Sequence, residues 1–165
     1  MNTGEYKNVS AVSNRIGMSI WPSLYDVSSA LSSDINRDFR KAGHVISIDQ
    51  FVILSGIYLG HGESQKKLAA WLHRDRSVIS RLLRILENNG WILRYTDEKD
   101  HRRKCLELTQ KTHDTWPVLE SIIFKTIQTR CQDVDPEKLQ SCIDVLIKIF
   151  INCRPDQLSY SKVST

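Results

Sequence analysis

No stretch of this 165-residue sequence approaches the ~20 consecutive apolar residues needed to cross a bilayer. The polar opening MNTGEYKNVSAV carries no signal-peptide core. Both absences lead us to expect a cytoplasmic chain with no membrane partner. Cysteine is sparse, at 105, 131, 142 and 153 only, and no CxxC pair occurs. That spacing argues for free thiols rather than a disulfide framework. The five histidines (44, 61, 73, 101 and 113) form no HxxxH or HExxH, and none pairs with cysteine at zinc-finger spacing. Neither a metal nor a cofactor is therefore expected. GxSxG, P-loop and GxGxxG motifs are missing too, which argues against an enzyme. What is present, 41% hydrophobic and 25% charged residues with no repeat or low-complexity tract, describes one globular domain with room for a core.

The charge is unevenly placed. Residues 64–111 hold 12 Lys/Arg against 6 Asp/Glu, whereas the remainder holds 11 against 13. Such asymmetry favours a polyanionic partner for the middle of the chain.

Hydrophobic periodicity supplies the elements. Leu24, Val27, Leu31, Ile35 and Phe39 recur at helical spacing, with Ile16 and Ile20 extending the stripe upstream. Pro22 implies a helix start near Trp21 or a kink there, and Gly43 a stop. Ser47 and Gln50 have the spacing of a capping box ahead of a largely apolar helix that ends by Gly60. Ser64 and Asp75 are N-cap candidates for two short helices joined by a turn over 73–75, the second covering 76–88 and closed by Asn89-Gly90. A two-helix unit with so short a turn is a helix-turn-helix. Residues 91–95 and 104–108 alternate as strands around the charged segment TDEKDHRR, which predicts a β-hairpin with a long solvated tip. Two more helices follow: one with the stripe Trp116, Leu119, Ile122, Ile123 and Ile127, and one starting after Asp135-Pro136.

The expected fold is mainly α (α+β), a winged helix-turn-helix. Its expected layout is a frayed segment 1–12, one domain over 13–152 with its winged lobe at 45–110, and a flexible tail over 153–165.

Helix 76–88 has the pattern of a DNA reader. Val78, Ile79, Leu82, Leu86 and Ile85 are assigned to its apolar side. Ser77, Ser80, Arg81 and Arg84 fall at i, i+3, i+4 and i+7 on one polar stripe. Arginine presents forked donors that match guanine O6/N7 or phosphate, and the serines are short enough to let a helix approach base edges. Arg74 and Arg76, at the turn that opens the helix, join the same candidate set. In the hairpin tip, Arg102 and Arg103 can enter a minor groove, with Asp100 paired to Arg94 or Arg103 to stiffen the loop.

These residues resemble the MarR family of winged-helix transcriptional regulators. The likeness is carried by DQFVIL (49–54), by QKKLAAWLHRDRSVISRLLRILENNGWILR (65–94) and by DEKDHRRKCLELT (97–109). Within the last segment, Asp100-His101-Arg102 matches the family's Asp-x-Arg and Leu108-Thr109 its Leu-Thr. The resemblance implies that the helix from Arg76 lies in the major groove, that Arg102 reaches the minor groove, and that Asp100 braces the wing. It further implies a homodimer built by helices over 13–41 and 112–152. One departure is Thr112, where the family often has glycine. The apolar stripes of those helices independently favour a two-fold dimer, because they offer more surface than one small lobe can cover.

The function read from the sequence is a dimeric, sequence-specific repressor on a pseudo-palindromic operator of double-stranded DNA. A small phenolic or lipophilic effector would release it, with Trp21, Tyr25, Trp71 and Trp116 as candidate pocket residues. Two alternatives are a winged-helix protein-interaction module and a thiol-based redox sensor. For the latter, strand alternation points Cys105 outward beside Arg103 and Lys104. Cys131, Cys142 and Cys153 are expected to pack as small hydrophobes.

Overall fold

A computed structural model describes residues 3–97 and 104–153, with side chains from Gly17 onward. In chain order the elements are α1 (Thr3–Lys41), α2 (Ile48–Tyr58), a 3-10 turn (His61–Glu63), α3 (Gln65–Trp71) and α4 (Arg76–Asn88). They are followed by β1 (Ile92–Thr96), β2 (Lys104–Leu108), α5 (Gln110–Cys131) and α6 (Pro136–Cys153). The chain divides into two compact units between Ile127 and Gln128. Among the described residues no helix is long and apolar enough to cross a membrane.

Helix α1 begins at Thr3 rather than near residue 13, and of the two alternatives at Pro22 it excludes a helix start, because the helix continues through that residue. A polar face does not by itself break a helix, and one proline removes a single hydrogen bond from a ladder otherwise intact on both sides. Among its described side chains, burial falls in the last turns, at Ile35 and Phe39. There the helix ends as expected: Gly43 has φ +81°, its N–H donates to Arg40 O, and the His44 N–H donates to Phe39 O.

The start of α2 is over-determined. Ser47 and Gln50 form the expected capping box, each side chain accepting from the other's backbone N–H. Asn36 of α1 adds a second cap, accepting from Ile48 N–H at 2.7 Å. Phe51, Ile53, Leu54 and Ile57 of α2 then enter one core with Leu68, Ile79, Leu83, Leu86, Ile92, Leu106, Leu108 and Leu119.

The 3-10 turn lies between the helices and the wing. Gly62 is buried there, and a Cβ at this position would stand 2.6 Å from Leu106 O and 3.1 Å from Ile57 Cγ2. Only glycine lets this turn lie against β2. The wing itself is a two-stranded antiparallel sheet in the register Ile92↔Leu108, Arg94↔Leu106 and Thr96↔Lys104.

Wing and α5 meet at one carbonyl. Trp91 O accepts from Thr109 N–H at 3.2 Å, from the Thr109 hydroxyl at 3.3 Å and from the Thr112 hydroxyl. Thr112 is fully buried. The departure from the family's glycine is therefore a stitch between the wing base and α5. Helix α5 runs through Pro117 without ending, and its Thr126 hydroxyl donates to Asp38 of α1 at 3.0 Å.

In the second unit, Asp135 caps α6 as expected, accepting from Glu137 N–H at 2.9 Å and Lys138 N–H at 3.1 Å. No residue of α6 is buried. Cys142 and Cys153, expected to fill a core, are exposed in the single chain, and Cys131 is half-buried.

Gly62→Ala should destabilise the fold by about 1–3 kcal/mol, the range for a methyl forced into occupied space. Because the obstructing atom is a backbone oxygen, side-chain repacking cannot relieve it. Urea titration would read the loss, and an unchanged midpoint would show that the turn can move away from β2.

Candidate nucleic-acid interface

The site begins with a turn. His73 takes a left-handed φ of +51°, which folds the chain from α3 into the next helix. Asp75 caps α4 as expected, with its Oδ1 accepting from Ser77 N–H at 2.7 Å and from the Ser77 hydroxyl. These bonds from Ser77 hold the Asp75 carboxyl below its ordinary pKa of 3.8. They also occupy the Ser77 proton. As the helix stands, that serine can offer a base or phosphate only its oxygen lone pairs.

Helix α4 buries Ile79, Leu83 and Leu86, all at 0% exposure, with Leu82 packed beside them. Each such side chain contributes about 1.5–3 kcal/mol on burial. This corrects the sequence reading in two places: Leu83 belongs to the buried face, and Ile85 is 38% exposed. The remaining face presents Ser77, Arg81 and Arg84 exposed and Ser80 half-buried, and Arg76 is exposed at the helix start. The structure thus brings Ser77, Arg81 and Arg84 onto the side of one helix away from its core contact, with Arg76 and half-buried Ser80 at the flank.

Arg74 is differently placed. Its Nη2 stands 2.8 Å from Oδ1 of Asp49, in the first turn of α2. At about half exposure on both sides, such a pair contributes roughly 0–1 kcal/mol. Nothing in the local sequence joins these two residues.

Arg94 faces inward on β1 and reaches back to α4, where its Nε lies 3.0 Å from Glu87 Oε2. The two are close enough for an ion pair but not aligned as a hydrogen bond. Among the described residues, Arg94 Nε and Nη2 have no hydrogen-bond acceptor. The proposed brace through Asp100 lies outside the described residues, as do Arg102 and Arg103. At the base of the wing, Lys104 Nζ donates to Thr96 Oγ1 at 2.7 Å. Lys111 Nζ sits 4.5 Å from the centre of the Trp91 ring and donates to Asn89 O at 2.8 Å, closing the C-terminal end of α4.

Cys105 contradicts expectation. It is buried at 6% exposure, with its Sγ 3.4 Å from Glu63 O and 3.8 Å from Asp97 Oδ2, either of which can accept its proton. Alternation had placed it outward, but the 3-10 turn covers that side of β2, so Cys105 and Leu106 are both buried. An outward-facing reactive thiol on the wing is thereby removed from the candidate site.

The four candidate pocket aromatics have separate surroundings. Trp116 stacks between Phe51 and Tyr58, at 4.8 Å from each ring centre. Trp71 stacks on His61 at 4.6 Å. Trp21 and Tyr25 lie exposed on α1. Among the described residues no group of three or more His, Cys, Asp and Glu side chains gathers to hold a metal.

Residues 46–104 match the model of the MarR family. A curated relative, described as an uncharacterised HTH-type transcriptional regulator YybA of Bacillus subtilis, is 31% identical over 93 residues. That match spans 56% of this chain and 61% of the relative. Among solved structures, a MarR transcriptional regulator from Methanosarcina mazei Go1 superposes with a TM-score of 0.72 at 23% identity, covering 82% of this chain and 96% of that one. The Staphylococcus aureus MepR, solved as a complex with DNA, superposes with a TM-score of 0.66 at 24% identity, covering 79% and 94%. At this identity the structural likeness establishes the winged-helix fold.

Asp75 gives the site a signature at low pH. Its folded pKa lies below the unfolded value, so the part of the cap's contribution that depends on the carboxylate charge is present above pH 3.8 and is lost as pH falls through the folded pKa. Asp75→Ala should therefore lower the melting temperature at pH 7 by more than it does in strong acid. Asp75→Asn should keep most of the cap at both pH values.

Proposed function

We propose that this chain, whose residues 46–104 match the model of the MarR family, binds double-stranded DNA as a transcriptional regulator. In this reading α4 lies in the major groove. One observation carries the proposal: Ser80, Arg81 and Arg84 stand on the open face of a helix whose opposite face is sealed by Ile79, Leu83 and Leu86. A rigid helix with arginines on its free side has the width, reach and donors that base edges and flanking phosphates require. We assign base reading to Arg81 and Arg84, with Ser80 allowing close approach, and phosphate contact to Arg76. Arg102 and Arg103, at the hairpin tip, complete the assignment in the adjoining minor groove.

The working form is a homodimer acting as a repressor on a pseudo-palindrome, with half-sites about one helical turn apart. Its support is the apolar surface a single chain leaves open: Met18, Trp21 and Val27 on α1, Phe124 on α5, and Val145 and Ile147 on α6. Exposed apolar residues of this kind, present on each of the two units, favour interaction surfaces that a symmetric copy would cover. A small phenolic or lipophilic effector would release DNA only by binding the two arrangements of the dimer unequally.

The competing reading, a winged helix that docks on protein, makes no demand on the arginines. Raising salt from 50 to 200 mM should weaken duplex binding roughly 10³-fold if six or more phosphates are engaged, and a flat response would favour a protein partner. Arg81→Ala should cost about 1–3 kcal/mol at one base position and relax specificity there. Sedimentation of a stable monomer at micromolar concentration would rule out the dimer.

A further inference from the structure

We propose that Asp49 is a built-in brake on DNA affinity: it holds the Arg74 guanidinium in an ion pair that phosphate would otherwise occupy. The inference rests on the DNA-binding reading above.

Arg74 sits in the turn that opens α4, two residues before Arg76, and the N-terminal end of such a helix is the part that meets the duplex. Its backbone is fixed independently of its side chain, because its N–H donates to Ala69 O at 3.2 Å. The guanidinium is nevertheless committed through Nη2 to Asp49 Oδ1 at 2.8 Å, with the side chains 46% and 51% exposed. An ion pair so open to water adds little to folding.

Asp49 is also not needed to begin α2. The N–H groups of Ile48, Gln50 and Phe51 at that end are met by Asn36, by the Ser47 hydroxyl and by the Ser47 carbonyl, while the Ser47 N–H is met by Gln50. Among the described residues the carboxylate has one specific partner, Arg74. It cancels one of the four exposed arginines between residues 74 and 84, and it places a negative charge where the phosphate backbone would approach.

Removing that charge frees Arg74 for one further phosphate. Each phosphate neutralised on a duplex steepens the slope of log K against log salt by about 0.9, which corresponds to a gain of several-fold to about tenfold at 0.1 M salt. The gain should not depend on sequence, because phosphate contacts carry no base information.

The test uses the full chain and a fluorescent duplex of ~30 base pairs and mixed sequence, titrated from about 50 to 300 mM salt. Asp49→Asn should bind several-fold tighter than the unaltered chain and show a salt slope steeper by about one. The double variant Asp49→Asn/Arg74→Ala should lose both gains. Equal or weaker binding by Asp49→Asn, with an unchanged melting temperature, overturns the brake. So does a gain that survives in the double variant, since Arg74 would then not be its beneficiary. If the unaltered chain binds no duplex at 50 mM salt, the DNA-binding reading itself falls, and the brake falls with it.

Discussion

The burial of one face of α4 is the constraint on which the rest of the molecule depends. Ile79, Leu83 and Leu86 are wholly removed from water, at a gain of several kcal/mol. That burial fixes how the helix is rotated about its own axis. A turn of the helix by one residue would sweep the stripe through roughly 100° and bring Ser80 or Arg84 toward the core. An arginine there would be left without adequate partners, at a cost well above any compensating contact. The open polar face is therefore a consequence of packing. The site is as rigid as the core beneath it.

The second constraint is the junction at Trp91. Helix α4 ends at Asn88, and Gly90, at φ +71°, turns the chain straight into the wing. Three donors from Thr109 and Thr112 then converge on the Trp91 carbonyl. The Thr109 hydroxyl also lies within reach of Gly90 O at 2.8 Å. This cluster leaves the wing little freedom to pivot against α4, and Arg94 with Glu87 adds a charged tie one strand further along. Helix and hairpin are thus held as one body at their shared base, whatever the hairpin tip does.

Much of this could be read from the sequence because it is local. Capping side chains such as Ser47, Ser64, Asp75 and Asp135 act within three residues of themselves, and the short strands announce themselves by alternation. Helix phase was harder. VISRLLRIL has apolar residues on more than one side, so periodicity alone could not choose between Leu83 and Ile85. The choice is made by tertiary packing: α4 lies against α2 and α3, and Leu83 falls in the shared core. Cys105 failed for a related reason. Alternation gives the two faces of a strand but not whether both are covered, and here the 3-10 turn covers the second. The pairs Arg74–Asp49 and Arg94–Glu87 join different elements, and no spacing rule reaches them. Helix α1 was underestimated because its opening residues are small and polar, and hydrophobic pattern detects only apolar stripes.

On the DNA-binding reading, the site divides its labour by what each side chain still has to offer. Ser77 has already given its proton to Asp75, so it can shape the approach but cannot donate to a base. Arg74 is engaged with Asp49, and it contributes only if a phosphate displaces that carboxylate. Discrimination among bases then falls on Arg81 and Arg84, whose forked donors suit guanine. Two such contacts, at ~1–3 kcal/mol of discrimination each, give one lobe modest selectivity against a non-specific duplex. A single lobe would be a poor regulator. Repeating it by two-fold symmetry would double that discrimination energy without any new kind of contact, which is the physical argument for the proposed pairing on a palindrome.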